Sequence, residues 1–457
     1  MLSRWAARVG GFFAPRPSKR ASLPVVAGQV RATAGGTQSV AGVGARRDDT
    51  PPPVPPTPVA PPLPRRQRVY AGFDANMPVA DRTGMAGRTR ELQRLEQAVF
   101  DQRLHALICG TRGSGKTSLA RVFGEIADER GCLVLYDIAS GDMAFDALCR
   151  GFLEDLVRER AGRPGAAAIA DLLAPETDGR RIATVLAEHL DQTVVILIDE
   201  FDRITSQETK TEFASLLKLL SDLRANVRFV IAGIAADLHD LIEGHLSLRR
   251  HLAVVRTGRI EAHDLDTLLA ACAAGAGMQV APAAADLIVR TTLGSPYHLR
   301  LFGLHAALAA LNGGSRVIGP EEVATGLADA FEQWRELTTL PTAVAARLQG
   351  TTPTMTIGLC AILVIAAHHG WFDRGEVVAT VADILGDRRA DADTQTDAAL
   401  GELDGLLTRA ADGRLRFRDT LAPQFLLLLI QGVVTLPSPA PRIDPRDVSS
   451  LHIKGIA

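Results

Sequence analysis

Eight residues, Gly110-Thr111-Arg112-Gly113-Ser114-Gly115-Lys116-Thr117, constrain this chain more than any other stretch. They fill the pattern G-x-x-x-x-G-K-[ST], in which glycines let a loop wrap until its backbone N–H groups reach phosphate oxygens. The lysine supplies a point charge for the β- and γ-phosphates, and the hydroxyl a ligand for Mg²⁺. The flanks decide what the pattern means. Residues 104–109 (Leu-His-Ala-Leu-Ile-Cys) form an apolar run of strand length. From Ser118 onward, Leu119, Val122 and Phe123 fall on one helical stripe. Strand, glycine loop and helix are the setting a phosphate cradle needs, because the helix N-terminus turns its dipole toward the anion. A glycine turn that merely joined strand to helix would leave the Lys-Thr pair unexplained. We therefore place residues 110–118 around ATP.

Four more short apolar runs follow or flank that loop, at 132–138, 194–198, 227–232 and 252–257, with helical stretches between them at 143–160, 180–190 and 208–225. Nearly continuous apolar strands alternating with helices predict an α/β fold with a parallel sheet covered on both faces. Beyond residue 261 the strand signal fades and helical periodicity runs through 263–275, 282–292, 296–312 and 320–338. Residues 341–435 read as three helices, a hairpin around Ala411-Asp412-Gly413, and a last helix. The expected division is a disordered basic and proline-rich tail over 1–82, an ATPase core over 83–260, a helical lid over 261–340, a winged-helix-like domain over 341–435 and a loose tail over 436–457.

Composition excludes some classes. A formal net charge of only −2 argues against a protein held to nucleic acid by bulk charge. The five cysteines are scattered without metal-ligand spacing, as expected for buried thiols in a reducing cytoplasm. No run reaches the roughly 20 apolar residues of a membrane-spanning helix. Residues 1–47 hold eight Arg and Lys and no acid, with Leu2, Trp5, Val9, Phe12 and Phe13 at helical spacing. Gly10-Gly11 interrupts that face, so a disordered tail is preferred to membrane-surface contact.

Asp199 and Glu200 close the strand 194–198 with two carboxylates. At a strand tip opposite Thr117, Asp199 can hold Mg²⁺ and Glu200 can polarise water for in-line attack on the γ-phosphate. Asp202 reads as a cap or solvated turn residue. Only the strand at 132–138 separates the loop strand from the acidic strand in sequence, the order of the additional-strand class of phosphate-loop proteins.

Together these motifs resemble the AAA+ ATPases, and among them the origin-recognition-like and STAND-like groups, over about residues 83–435. The resemblance implies further site residues. Met85-Ala86-Gly87-Arg88-Thr89-Arg90-Glu91-Leu92 is similar to the family motif F-x-G-R-x-x-E-L, which would set Gly87 and Arg88 against adenine. Arg249 and Arg250, just before the fifth strand, stand where such proteins carry an arginine finger acting across a subunit interface. Gly294-Ser295-Pro296 looks like the lid motif G-x-P, with Pro296 near the nucleotide; a Ser-capped helix start with proline at its first position explains the same residues. Tyr297, His298 and Arg300 follow as candidate reporters of nucleotide state. Two departures point to slow turnover: no polar sensor residue ends the fourth strand at Ile231-Ala232-Gly233, and Tyr297 stands where origin-recognition proteins carry a lid arginine.

The helix at 393–404 carries three aspartates and a glutamate and no base, which opposes insertion into a DNA groove. In the hairpin, Arg414, Arg416 and Arg418 alternate with Leu415 and Phe417, so one face is basic. That face reads either as solvated or as a weak, non-specific phosphate contact. The leading expectation is a slow ATP-hydrolysing switch that self-associates or binds a protein partner. The alternative is an ATP-gated DNA-binding initiator, transposition helper or regulator.

Overall fold

Strands that are apolar along their whole length call for cover on both faces, and the three central strands of the sheet have it. The computed structural model describes residues 64–434, apart from 80–83, 142, 176, 234–245, 339, 352 and 411. Its central sheet comprises β1 (His105–Cys109), β2 (Leu133–Ile138), β3 (Val194–Asp199), β4 (Val227–Gly233) and β5 (Leu252–Arg256). All pair parallel, in the order β2-β3-β4-β1-β5. The expected runs agree with these strands to within a residue or so.

Alternation sorts each strand between two cores. Ile196 and Ile198 join Phe152, Phe213 and Phe229 on one face of the sheet. Val195 and Leu197 join Leu119, Phe123 and Val230 on the other. The first helix, α1 (Arg65–Gly72), packs on later helices and not on the sheet, which is accompanied by α2 (Thr89–Glu96), α3 (Lys116–Glu129), α4 (Phe145–Glu159), α5 (Ala166–Ala170), α6 (Gly179–His189) and α7 (Gln207–Asp222).

After the sheet come α8 (Ala262–Ala276), α9 (Pro282–Thr291), α10 (Pro296–Asn312) and α11 (Pro320–Leu337), with a minimal parallel pair, β6 (Gln279–Val280) and β7 (Val317–Ile318), that periodicity did not reveal. The chain ends in α12 (Thr342–Gln349), α13 (Pro353–His369), α14 (Arg374–Leu385), α15 (Ala392–Glu402), an antiparallel hairpin β8 (Leu407–Arg409) and β9 (Leu415–Phe417), and α16 (Ala422–Ile430). Four helices, not three, precede the hairpin. Phe372 bridges to Leu415 and so ties the hairpin to the start of α14.

The lid and the C-terminal helices share one continuous core. Phe425 stacks on Trp334 at 4.8 Å and meets Phe302 edge-on at 5.6 Å, so α16 is seated on the lid.

The expected disordered tail over 1–82 does not hold at its end. Arg65–Gly72 is helical, and Val69 and Phe73 are buried against α8 and α10. Two apolar anchors in an otherwise charged stretch make no periodic signal, which is why the helix was not foreseen. Residues 1–63 and the tail from 436 lie outside the described residues, as does the amphipathic start. Among the described residues no helix is long and apolar enough to cross a membrane. All five cysteines are free, four of them buried.

Candidate nucleotide-phosphate site

β1 delivers the glycine loop at its C-terminal end, and α3 begins at Lys116. Gly113 and Gly115 have φ of 77° and 89°, the left-handed region where a side chain would strain the turn. Lys116 Nζ donates to the Gly110 and Thr111 carbonyls, both at 3.1 Å, so its ammonium lies across the loop. Burial lowers the lysine's pKa, while Asp202 and Asp199 work in the opposite direction.

Asp199, the last residue of β3, is buried. Its carboxylate accepts from Tyr136 Oη at 2.9 Å and from the Glu200 amide at 2.8 Å. Burial, reinforced by that carboxylate, pushes the Tyr136 phenol up to about 12, so it stays a donor. Glu200 adopts a left-handed φ of 54°, which turns its side chain out of the strand direction. There it pairs with Arg203 Nε at 2.9 Å.

A cleft of about 470 Å³ brings these groups together. Arg112, Gly113, Ser114, Gly115, Lys116, Thr117 and Ser118 line it with Asp199 and Glu200. Gly110 and Thr111 sit behind the loop. Asp202 also faces the cleft rather than capping a turn. A Cβ on Gly233 would come within 3.2 Å of Asp202 Oδ1, so a side chain at the end of β4 would press on Asp202. Thr117 and Asp199 offer a hydroxyl and a carboxylate to the same space, a hard-oxygen set that fits Mg²⁺ completed by phosphate and water.

Arg88 also reaches the loop from beneath. Its buried guanidinium donates to Ser114 O at 2.8 Å and Gly258 O at 2.6 Å, and pairs with Glu91 at 2.9 Å. It braces the loop from beneath while lining the cleft. Gly87 precedes it at φ 68° and is not part of the lining.

The lid arrives through α10. Ser295 caps that helix by accepting from the His298 amide and also donates to Gly113 O at 3.4 Å, while Pro296 lines the cleft. The Ser-capped start with proline at its first position is present, and the same proline lines the cleft. Of the three candidate reporters, Tyr297 and Arg300 line the cleft. His298 does not; it is fully buried among Phe302 and Phe425, and burial holds it down at about 3.

Arg249 and Arg250 lie exposed in the short helical turn Leu246–His251 and do not reach the cleft within this chain. The residues that sequence reasoning missed come from the far end. Arg416, Arg418 and Thr420 line the same cleft, and Leu421 Cδ2 would lie 3.6 Å from a Cβ on Gly113. The alternation of Arg416 and Arg418 was visible, but nothing local says that their face turns to a loop 300 residues away.

Comparison with known proteins agrees with this geometry. Residues 85–231 match the model of the AAA ATPase domain family. No curated protein matches significantly. Among solved structures, Cdc6p from Pyrobaculum aerophilum is 16% identical, covering 80% of this chain and 97% of that one, with a TM-score of 0.45. A Walker-type ATPase of Pyrococcus abyssi is 17% identical over 78% of this chain and 99% of that one, with a TM-score of 0.48. The ORC1 protein of Aeropyrum pernix, solved in complex with DNA, is 16% identical over 75% and 92%, with a TM-score of 0.40. Residues 85–231 of this chain are thus an AAA ATPase domain of the AAA+ P-loop kind.

Proposed function

We propose that the chain binds Mg-ATP in this cleft, hydrolyses it slowly, and acts as a switch whose C-terminal domain reads the nucleotide. The observation that carries the reading is the convergence of lid and hairpin cations, Arg300 with Arg416 and Arg418, on the cleft that holds Lys116, Asp199 and Glu200. Lys116 holds the β- and γ-phosphates, and Thr117 and Asp199 hold the metal, whose charge neutralises the phosphates. Glu200 orients water against the γ-phosphorus, accepting its proton as ADP and phosphate separate. Slow turnover follows from two features: Glu200 must leave Arg203 before it can act, and Gly233 supplies no sensor group.

On this reading 341–435 is a winged-helix-like domain, supported by the order α13, α14, α15, β8, β9 and by the Phe372 bridge. Its arginine face is spent on the cleft, and α15 is acidic, so DNA contact is weak at most. An assembly partner, a second copy included, would be sensed through release of this domain, and Arg249 or Arg250 would act in the neighbouring subunit.

Radiolabelled ATP turnover and equilibrium binding test the proposal. Lys116→Ala should bind ATP roughly 100-fold more weakly and lose hydrolysis, since a charge-assisted contact to phosphate disappears. Turnover per chain should rise with protein concentration, and Arg249→Ala or Arg250→Ala should abolish that rise. A Lys116→Ala protein that binds and hydrolyses like the parent would end the proposal.

A further inference from the structure

Behind the glycine loop lies a second cleft of about 510 Å³, between the end of β5, the end of α13 and the hairpin. Its size is that of small-ligand pockets, roughly 300–1,000 Å³. Arg112, Arg256, Arg259, His368, His369 and Arg416 line it, and no lining residue is a carboxylate. Carboxylates touch this group only at the rim, where Glu261 stands 3.6 Å from Arg259 and Glu376 3.9 Å from His369. Arg112 and Arg256 have no acidic partner among the described residues. Four guanidinium groups in one concave wall repel one another unless an anion joins them.

Two further groups belong to this wall. Trp371, which lines the cleft beneath Arg416 at 4.6 Å, has its Nε1–H buried and without an acceptor. His368 is held at about 4 by burial and by the like charges of Arg259 and His369. We propose that this cleft is a second anion site, taking a small, multiply phosphorylated ligand, and that it shares Arg112 and Arg416 with the nucleotide cleft. Both arginines line both clefts. A ligand behind the loop therefore shares those two guanidinium groups with a nucleotide in front, each having donors enough for bidentate phosphate contact on either side.

A nucleic-acid backbone fits the surroundings less well. Helix α15 presents Asp393 and Asp397, which hold Arg374, and Arg414 of the hairpin is paired with Asp412. The basic groups that remain lie inside a pocket of nucleotide size rather than along a track.

Inorganic pyrophosphate is the probe, titrated by calorimetry into full-length protein already saturated with Mg²⁺ and a non-hydrolysable ATP analogue. One further pyrophosphate should bind per chain. Arg256→Gln with Arg259→Gln, residues that line only the rear cleft, should weaken it at least tenfold and leave affinity for the ATP analogue unchanged. Arg256→Lys with Arg259→Lys, which keeps the charge, should retain most of the affinity, and matching melting temperatures show that both variants fold. Lys116→Ala, which loses the analogue, should still bind the pyrophosphate, so failure of the nucleotide reading and failure of this one are separable. Absence of that pyrophosphate, or equal affinity in the Gln double variant, overturns the proposal. So does a parent protein that takes no pyrophosphate but retards duplex DNA at low salt through Arg256 and Arg259.

Discussion

The two sides of the glycine loop differ in one respect that decides their chemistry. The front mixes Lys116, Arg112, Arg300, Arg416 and Arg418 with Asp199, Glu200 and Asp202, whereas the rear has cations and no acid in its wall. Carboxylates beside a phosphate are tolerable only with a metal between them and a proton to accept. On the proposed function, the front suits a metal-bound anion that reacts and the rear an anion that is merely held. The loop, with its Arg112, and Arg416 of the hairpin line both.

The largest expected effect separates the faces through chemistry. Glu200→Gln keeps the shape of the front and removes its base, so turnover should fall about 100-fold or more. ATP affinity and pyrophosphate binding at the rear should stay as they are. Single-turnover hydrolysis measured beside equilibrium binding checks this, and a parallel loss of binding would mean that Glu200 shapes the cleft instead of acting on water.

Next in size is the brace common to both sides. Arg88 holds Ser114 at the front and Gly258 at the rear. Arg88→Ala leaves both carbonyls without their donor, a cost of about 2 kcal/mol in unfolding free energy. Both ligands should weaken together. Denaturant unfolding and the two titrations test it, and loss of one ligand alone would show that the faces are set independently.

A third test divides the hairpin. Arg418 lines only the front, and Arg416 lines both clefts. Arg418→Gln should weaken ATP about tenfold with pyrophosphate unaffected, while Arg416→Gln should weaken both by about as much. Equal behaviour of the two variants would remove the sharing of Arg416.

What was legible in the sequence follows the reach of each signal. Loop, flanking strand and helix lie within a few residues, so spacing alone placed residues 110–118, and the tip of β3 named Asp199 and Glu200. Periodicity reports that a face is buried or bare, not what covers it. Arg416 and Arg418 alternate with Leu415 and Phe417 as a solvated strand would, and only the seating of Leu421 near Gly113 brings them to the cleft. Asp202 looked like a turn residue because the short helical turn after β3, which aims it into the cleft, has no pattern of its own. Helix α1 failed for a related reason: two buried anchors among arginines are fewer than a period needs.

The smallest effect concerns the strand on which both faces rest. His105 opens β1, fully buried, its Nδ1 accepting the Phe229 amide at 2.9 Å and its Nε2 bonded to Leu217 O at 3.0 Å. The amide at Nδ1 leaves the proton on Nε2, which donates to the carbonyl, so the neutral ring is satisfied and a second proton would face a donor. Burial first, then Arg228, lowers its pKa from 6.5 to about 3. The sign follows from the unfolded chain, whose histidine takes up a proton as pH falls below 6.5 while the folded one does not. Stability is thus complete above pH 6.5 and is lost progressively down to about pH 3, by about 1.4 kcal/mol per pH unit from this group. Unfolding free energies at pH 6, 5 and 4 should show His105→Gln, which keeps a donor and an acceptor but cannot charge, with a slope shallower by that amount. Because β1 carries the loop, the parent should release ATP and pyrophosphate over the same acid range. A slope unchanged by the substitution would move the acid sensitivity to His298 and His368, which sit under the lid and the rear cleft and would loosen them separately.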